Sequence, residues 1–162
     1  MIIVFDSSTL ILLAKITVLR TFTQERDIVI PSSVKEECLC VKAIDADIIR
    51  QLLEEKKIME KNISGSELSA DFKLGLGEAD ALQLARDKKA VLATDDYRAI
   101  RTCKVLNIPF TTAIHCLQFL VDEKKIDQRL AFEKLKNLEK YGRYSEQIVN
   151  DTKKRIRGDM HG

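Results

Sequence analysis

The sequence lacks the features that mark membrane and secreted proteins. No apolar run reaches the roughly 18 residues that a transmembrane helix needs. The apolar stretch at the N-terminus has no basic leader and is interrupted by Asp6, so a signal peptide is not expected either. We therefore expect a cytoplasmic protein with no membrane partner.

The sequence also has few residues suited to zinc binding or nucleophilic catalysis. The four cysteines, which show no C-x-x-C spacing, are Cys38, Cys40, Cys103 and Cys116. A zinc site built from Cys103, His115 and Cys116 is conceivable, but adjacent ligands match structural zinc spacing poorly, so we interpret the cysteines as reduced packing residues. His115 and His161 have no serine or cysteine partner at a motif spacing, and glycine-rich nucleotide motifs are absent.

Charge is distributed unevenly along the 162 residues, although the formal net charge is only +2. Residues 1–96 carry 13 basic and 17 acidic side chains, a net charge of −4, and residues 97–162 carry 14 basic and 8 acidic side chains, a net charge of +6. This asymmetry favours a polyanionic partner bound by the second half, with the acids of the first half serving another purpose.

The hydrophobic pattern predicts an α/β fold. Met1 to Phe5 form an apolar run that ends at Asp6, which is typical of a strand buried on both faces. Further strands are predicted at residues 27–31, 58–59, 89–94 and 108–111, with helices between them, among them one over 43–55. This order predicts a central parallel sheet with helices on both faces. We expect residues 1–125 to form this domain and residues 126–162 to add helices that pack on it.

Carboxylates stand where strands end and helices begin. They are Asp6, Glu37, Glu78 or Asp80, and Asp95 or Asp96. The carboxyl ends of parallel strands share one edge of a sheet, so these acids are expected to meet there. Packed carboxylates repel one another unless a cation lies between them, and oxygen ligands select Mg²⁺ or Mn²⁺. A metal held on acids alone supports phosphodiester hydrolysis.

Helix capping is the competing interpretation of each acid. Asp6 can be an N-cap, and Ser33 with Glu36 fits a capping box, which leaves Glu37 without a local role. Glu78 and Asp80 can be first-turn partners of a helix dipole. They point about 200° apart on a helix, so we do not expect both to bind one ion. Capping explains each acid separately, but not their coincidence at successive strand ends.

Four segments resemble the motifs of the PIN domain family of metal-dependent ribonucleases. They are Val4-Phe5-Asp6-Ser7-Ser8, Ile30 to Glu37, Gly77-Glu78-Ala79-Asp80-Ala81 and Leu92-Ala93-Thr94-Asp95-Asp96. The similarity covers roughly residues 1–120. It implies a three-layer parallel α/β fold, Mg²⁺ or Mn²⁺, and cleavage of single-stranded RNA. It also implies that Asp6, Glu37, Asp80 and Asp96 are catalytic and bind the metal.

The resemblance leaves Glu78 open as the alternative to Asp80, and Asp95 as an additional or outer metal group. The third motif is similar to that of VapC-like toxins, which implies a small antitoxin protein as a partner. The extra C-terminal helices depart from the compact toxin pattern. Dimers are common among relatives, and Phe132, Tyr141 and Tyr144 are candidates for either a homodimer interface or core packing.

Two functional hypotheses follow from the sequence. The first is an Mg²⁺/Mn²⁺-dependent endoribonuclease, with a role as the toxin of a toxin–antitoxin pair. The second is a catalytically silent RNA- or protein-binding module with a PIN-like fold. A basic cluster near the C-terminus either contacts RNA phosphates or forms a solvated helix end, and it consists of Lys153, Lys154, Arg155 and Arg157.

Overall fold

The computed structural model describes residues 1–40, 44–63 and 67–158. Within these residues, five parallel strands form one sheet: β1 Ile2–Phe5, β2 Asp27–Pro31, β3 Ile58–Lys61, β4 Val91–Ala93 and β5 Phe110–Thr111. Their order across the sheet is β3-β2-β1-β4-β5. Helices flank this sheet, so the predicted α/β fold is confirmed. The short edge strand predicted at residues 58–59 is confirmed as the start of β3.

Strand β1 lies at the centre of the sheet because it pairs on both sides. Val4 is opposite Val29 of β2 and Leu92 of β4. Val4 and Phe5 are fully buried, as an unbroken apolar run requires. The chain builds outward from β1 to β3 and then returns to place β4 on the other side of β1. Such a reversal of strand order opens a crevice at the carboxyl ends of the two strands, where α/β proteins bind ligands.

Helices connect the strands and continue after them. They are α1 Ser7–Lys15, α2 Leu19–Glu25, α3 Ser32–Leu39, α4 Ile44–Glu54, α5 Leu68–Phe72, α6 Leu76–Lys88, α7 Tyr97–Leu106, α8 Ala113–Asp122, α9 Gln128–Tyr141 and α10 Glu146–Arg157. The sequence did not predict α2 or α5, since each is too short to show helical periodicity. The helix predicted from residue 43 is seen from Ile44, and Ala43 lies outside the described residues.

The core joins the sheet to the helices through apolar side chains. Phe22 of α2 makes edge-to-face contacts with Phe5 of β1 and Phe119 of α8, with ring centroids 5.8 Å apart in both pairs.

The four cysteines are free thiols: Cys38, Cys103 and Cys116 are buried, and Cys40 is exposed. None of the described helices combines the length and apolar character that crossing a membrane requires.

The last two helices share this core. Helix α9 packs on α8 and α1, and α10 packs on α8 and α9. Leu135 and Leu138 of α9 are fully buried, as is most of Ile156 of α10. The residues after the last strand are therefore held against the same hydrophobic cluster as the sheet.

Candidate active site

Asp6 lies one residue beyond β1, in the crevice between β1 and β4. Its backbone N–H donates to the carbonyl oxygen of Ala93 over 3.1 Å. Its Oδ1 atom accepts hydrogen bonds from the Thr9 backbone N–H at 3.2 Å and the Ser8 hydroxyl at 2.6 Å. The Thr94 hydroxyl donates to Oδ2. Asp6 is thus the N-cap of α1 and is fixed by groups from the first turn of that helix and from the carboxyl end of β4.

The Asp6 carboxyl is buried with no positive partner among the described residues. Burial raises its pKa from 3.8 to about 7, against the opposing effect of the hydrogen bonds from Ser8, Thr94 and Thr9, and the nearby Asp95 charge raises the pKa further. None of the ion pairs in the described part of the chain includes Asp6. A cation next to this carboxyl would favour its charged form.

Glu37 links the starts of α1 and α6. Its Oε2 atom accepts from the Ser7 hydroxyl at 2.7 Å, and its Oε1 atom accepts from the Gly77 backbone N–H at 3.0 Å. A Cβ atom added at Gly77 would lie only 2.6 Å from Glu37 Cδ. Glycine at this position therefore leaves the space that the Glu37 carboxylate occupies, a role that sequence analysis did not detect.

Glu78 and Asp96 form a carboxyl pair. Burial is the main cause that raises the pKa of Glu78, followed by the Asp96 charge, and the Glu37 charge adds to it. The Glu78 and Asp96 carboxyls therefore lie close to each other. Glu78 Oε2 also accepts from the Gly75 backbone N–H at 3.2 Å, which is one half of a capping box.

Asp96 is connected to Asp6 as well as to Glu78. Its Oδ1 atom accepts from the Ala99 N–H at 2.9 Å, so it is the N-cap of α7. Its own backbone N–H donates to the Thr94 hydroxyl oxygen at 3.2 Å, and that hydroxyl donates to Asp6. The structure thus brings together four of the predicted site residues: Asp6, Glu37, Glu78 and Asp96.

Asp80 has a different partner. The Ser33 hydroxyl of α3 donates to Asp80 Oδ2 at 2.6 Å. Asp80 is 3% exposed, and its Oδ1 atom has no hydrogen-bond partner among the described residues. The predicted capping box of Ser33 and Glu36 is wrong, because α3 already begins at Ser32 with no side-chain cap and the Ser33 hydroxyl is bonded to Asp80 instead.

Asp95 is saturated by protein donors. Its two oxygens accept from the Ala113 N–H at 3.0 and 2.9 Å and from the Tyr144 hydroxyl at 2.9 and 3.1 Å. Burial raises the pKa of Asp95, and these hydrogen bonds oppose the rise. Its backbone N–H donates to the Ser8 hydroxyl oxygen at 2.9 Å. Asp95 therefore caps α8 and anchors Tyr144, a candidate interface residue of the sequence analysis.

Four of the helices that begin at this edge of the sheet have a backbone N–H, at or just before their first turn, that donates to one acid. The helices are α1, α6, α7 and α8, and the acids are Asp6, Glu78, Asp96 and Asp95. Capping and convergence are therefore not alternatives here. Because helices begin at the edge of the sheet where the strands end, the acids that cap these helices lie at that same edge. The helix dipoles favour the negative charge of these carboxylates.

The donor set suits a hard divalent cation. In residues 1–40, 44–63 and 67–158, no group of three or more His, Cys, Asp or Glu side chains is placed closely enough to hold a metal ion. The acids instead accept hydrogen bonds from hydroxyls and backbone N–H groups. All of these donors to a cation would be oxygens, the ligand type that hard divalent cations prefer, and Asp6 is buried with no counter-ion in those ranges.

The basic cluster at the C-terminus is mostly engaged within the protein. Lys153 pairs with Glu139 at 3.5 Å, and Arg155 pairs with Asp122 at 3.6 Å. The Arg157 guanidinium lies 5.7 Å from the Phe132 ring centroid. Lys154 is exposed.

Burial lowers the pKa of His115, and the nearby Arg155 charge lowers it further. His161 lies outside the described residues.

A protein-family model described as a PIN domain matches residues 2–157. This match spans all five strands and reaches the end of α10. No curated protein matches the chain significantly.

Proposed function

The chain belongs to the PIN domain family, and from this premise we propose that it is an endoribonuclease that uses Mg²⁺ or Mn²⁺ to hydrolyse single-stranded RNA. PIN domains are generally nucleases. The observation that carries the proposal is the convergence of Asp6, Glu37, Glu78 and Asp96 at the β1–β4 crevice. No other cluster of reactive side chains in the described residues suggests a different chemistry.

We assign the metal to Asp6, Glu37, Glu78 and Asp96. When bound, the ion would supply hydroxide from water and polarise the phosphate. The protein's own residues hold the carboxylates in place: Ser8, Thr9 and Thr94 fix Asp6, and Ser7 with Gly77 fixes Glu37.

This assignment prefers Glu78 to Asp80, the residue that the sequence favoured. Glu78 lies beside Asp96 and senses the Glu37 charge, whereas the hydrogen bond of Asp80 goes to Ser33. Asp95 is treated as a structural acid because both of its oxygens already accept hydrogen bonds from Ala113 and Tyr144.

The proposal is tested with Asp6→Asn and a fluorescent single-stranded RNA. Loss of a group that only supports a metal ligand costs about 10- to 100-fold in activity. Because Asp6 is proposed to bind the metal itself, we expect Mn²⁺-dependent cleavage to fall by more than this. Asp27→Asn is the matched control, because Asp27 is an exposed acid at the opposite end of a strand. Equal cleavage by the wild-type chain and Asp6→Asn, at equal thermal stability, would refute the assignment.

A silent binding module is the second candidate. It is favoured by one observation: every acid of the site already accepts hydrogen bonds from protein donors, as helix caps do. The two candidates differ in their response to divalent ions, because an unpaired carboxylate cluster gains stability from a cation and a set of caps does not.

We further propose a toxin role with a small antitoxin protein, on the similarity of the third motif to VapC-like toxins. Growth arrest on expression, relieved by a neighbouring small reading frame and absent for Asp6→Asn, would support it. We place this activity in the cytoplasm, where the four unpaired thiols would stay reduced. A homodimer through Tyr141, which is 46% exposed, is checked by light scattering.

A further inference from the structure

A basic pocket lies along the helix that follows Asp96. It has a volume of about 290 Å³ and is lined by Phe72, Lys73, Arg98, Arg101, Thr102 and Val105; we call it the α7 pocket. Helix α7 begins directly after Asp96, and Lys73 precedes the start of α6, which carries Glu78. The two walls of the α7 pocket are thus continuous with the two elements that hold the Glu78–Asp96 pair.

The cations of the α7 pocket have no acidic partners in the part of the chain that the structure describes. Lys73, Arg98 and Arg101 take part in none of the ion pairs found there. By contrast, the C-terminal cluster has Lys153 paired with Glu139 and Arg155 paired with Asp122. Cations outside ion pairs can bind an external anion without first breaking an internal salt bridge, so the α7 pocket is the better site for phosphates.

Exposed rings and apolar groups accompany these charges. The Tyr97 side chain is 71% exposed, and the Arg101 guanidinium lies 5.7 Å from its ring centroid. Val105 in the wall and Leu76 at the start of α6 are 68% and 60% exposed. Single-stranded RNA offers unstacked bases that stack on aromatic rings and guanidinium planes, together with phosphates that bind cations. A duplex hides its base faces and fits this combination less well.

We propose that the α7 pocket and Tyr97 bind the single-stranded RNA next to the site of cleavage. Arg98, Arg101 and Lys73 hold phosphates, and the Tyr97 ring stacks on a base. This inference rests on the proposed function, since it names the surface that delivers the substrate to the acids. It moves the main RNA contacts from Lys153, Lys154, Arg155 and Arg157 to helix α7.

Binding of a fluorescein-labelled single-stranded RNA, followed by anisotropy, tests the proposal. The full chain is used with Asp6→Asn in every sample, so that no RNA is cleaved. We expect Arg98→Ala/Arg101→Ala to weaken binding at least 10-fold and to reduce the slope of log K against log salt by about 0.7 for each phosphate that the protein no longer neutralises. Tyr97→Ala should weaken binding roughly 10-fold and Tyr97→Phe only slightly, since stacking needs the ring.

Two further double variants serve as controls of equal charge. Lys88→Ala/Lys104→Ala removes two exposed charges from α6 and α7 outside the α7 pocket, and it should bind RNA as the parent does. Lys153→Ala/Lys154→Ala tests the C-terminal cluster. The proposal is overturned if either control loses as much affinity as Arg98→Ala/Arg101→Ala, or if an acidic peptide binds the pocket and RNA does not. Circular dichroism melts confirm that each variant folds.

The outcome is separable from that of the nuclease proposal. If Arg98→Ala/Arg101→Ala weakens RNA binding but the chain with native Asp6 does not cleave RNA with Mn²⁺, the nuclease fails and the α7 pocket stands. If the native chain cleaves RNA and this double variant leaves KM unchanged, the α7 pocket fails and the nuclease stands.

Discussion

At the scale of single residues, each acid of the proposed site also has a structural role in the fold. Asp6 and Asp96 are N-caps, Glu78 reaches back to the Gly75 N–H, and Glu37 accepts the Gly77 N–H. Backbone donors therefore fix the orientation of these carboxylates. The same bonds explain why removing one acid is expected to affect both metal binding and stability.

Gly77→Ala separates these two effects. An added Cβ would lie 2.6 Å from Glu37 Cδ, and so the Glu37 side chain must move away from its place beside Ser7. We expect Mn²⁺-dependent cleavage to fall about 10- to 100-fold, as for other groups that orient metal ligands. The free energy of unfolding should fall by no more than about 1 kcal/mol, because the higher helix propensity of alanine offsets part of the loss of the hydrogen bonds that Glu37 accepts from Ser7 and Gly77.

The measurements are initial cleavage rates and urea denaturation. The control is Lys88→Ala, which changes an exposed residue in the last turn of the same helix. Unchanged cleavage by Gly77→Ala would mean that the position of Glu37 does not matter for activity.

At the scale of secondary-structure elements, the hydroxyl of Tyr144 joins the connection between the C-terminal helices to the edge of the sheet where the acids lie. Tyr144 lies between α9 and α10, and its hydroxyl donates to Asp95 at 2.9 Å. Asp95 also accepts from the first N–H of α8, and its own N–H binds Ser8, which donates to Asp6. The link between the α9–α10 connection and the start of α1 therefore passes through Asp95.

Tyr144→Phe should weaken this link without disturbing the packing of the ring. Loss of a hydrogen bond to a charged acceptor is expected to lower the free energy of unfolding by about 1.5–3 kcal/mol. Tyr141→Phe is the matched control, because Tyr141 is 46% exposed and its hydroxyl has no hydrogen-bond partner in the described residues. Equal stability of the two variants, measured by urea denaturation, would show that the Tyr144–Asp95 bond contributes nothing.

At the scale of the whole molecule, the sheet topology separates charge into two neighbouring regions. The carboxyl edge of the sheet carries Asp6, Glu37, Glu78 and Asp96, and the α7 pocket, on the helix that begins directly after Asp96, presents Lys73, Arg98 and Arg101. Acids without counter-ions suit a divalent cation, and cations outside ion pairs suit phosphates. A metal-dependent enzyme acting on a polyanion needs this pairing.

Divalent ions should therefore stabilise the folded chain in a pH-dependent way. The pKa of Asp6 is 3.8 in its ordinary state and about 7 in the fold. Without metal, this shift contributes stability that is present below about pH 4 and is lost as the pH rises to about 7, since the ionised carboxyl is disfavoured by burial. Above about pH 7 the Asp6 carboxyl is deprotonated, so a proton no longer competes with a metal ion for it.

We expect Mn²⁺ at about 100 times its Kd to add about 2.7 kcal/mol to the free energy of unfolding. The Mn²⁺ affinity should be higher at pH 8 than at pH 6, and Asp6→Asn should lose most of the effect. Thermal melts with and without Mn²⁺ at the two pH values provide the measurement. A melting temperature that is unmoved by Mn²⁺ at either pH would favour the silent binding module.

Much of the fold could be predicted from local sequence. Short stretches of sequence were enough to show the apolar run of β1, the acids at the ends of β1 and β4, and the alternation of strands and helices. The confirmed parallel sheet follows from that alternation because the crossovers leave little choice of topology. The short α2 and α5 escaped prediction because five to seven residues cannot display a helical period.

What the sequence by itself determined is which acids reach the carboxyl edge of the sheet, since strand direction delivers Asp6 and Asp96 there. Only the tertiary structure decided which partner each side chain has. Glu78 lies beside Asp96, Asp80 accepts a hydrogen bond from Ser33, and Asp95 accepts one from Tyr144. Lys153 and Arg155 each form an ion pair with an acid, whereas Arg98 and Arg101 form none among the described residues. The physical reason is that hydrogen bonds and ion pairs act over a few ångströms in space, between groups that lie as many as 117 residues apart in the chain.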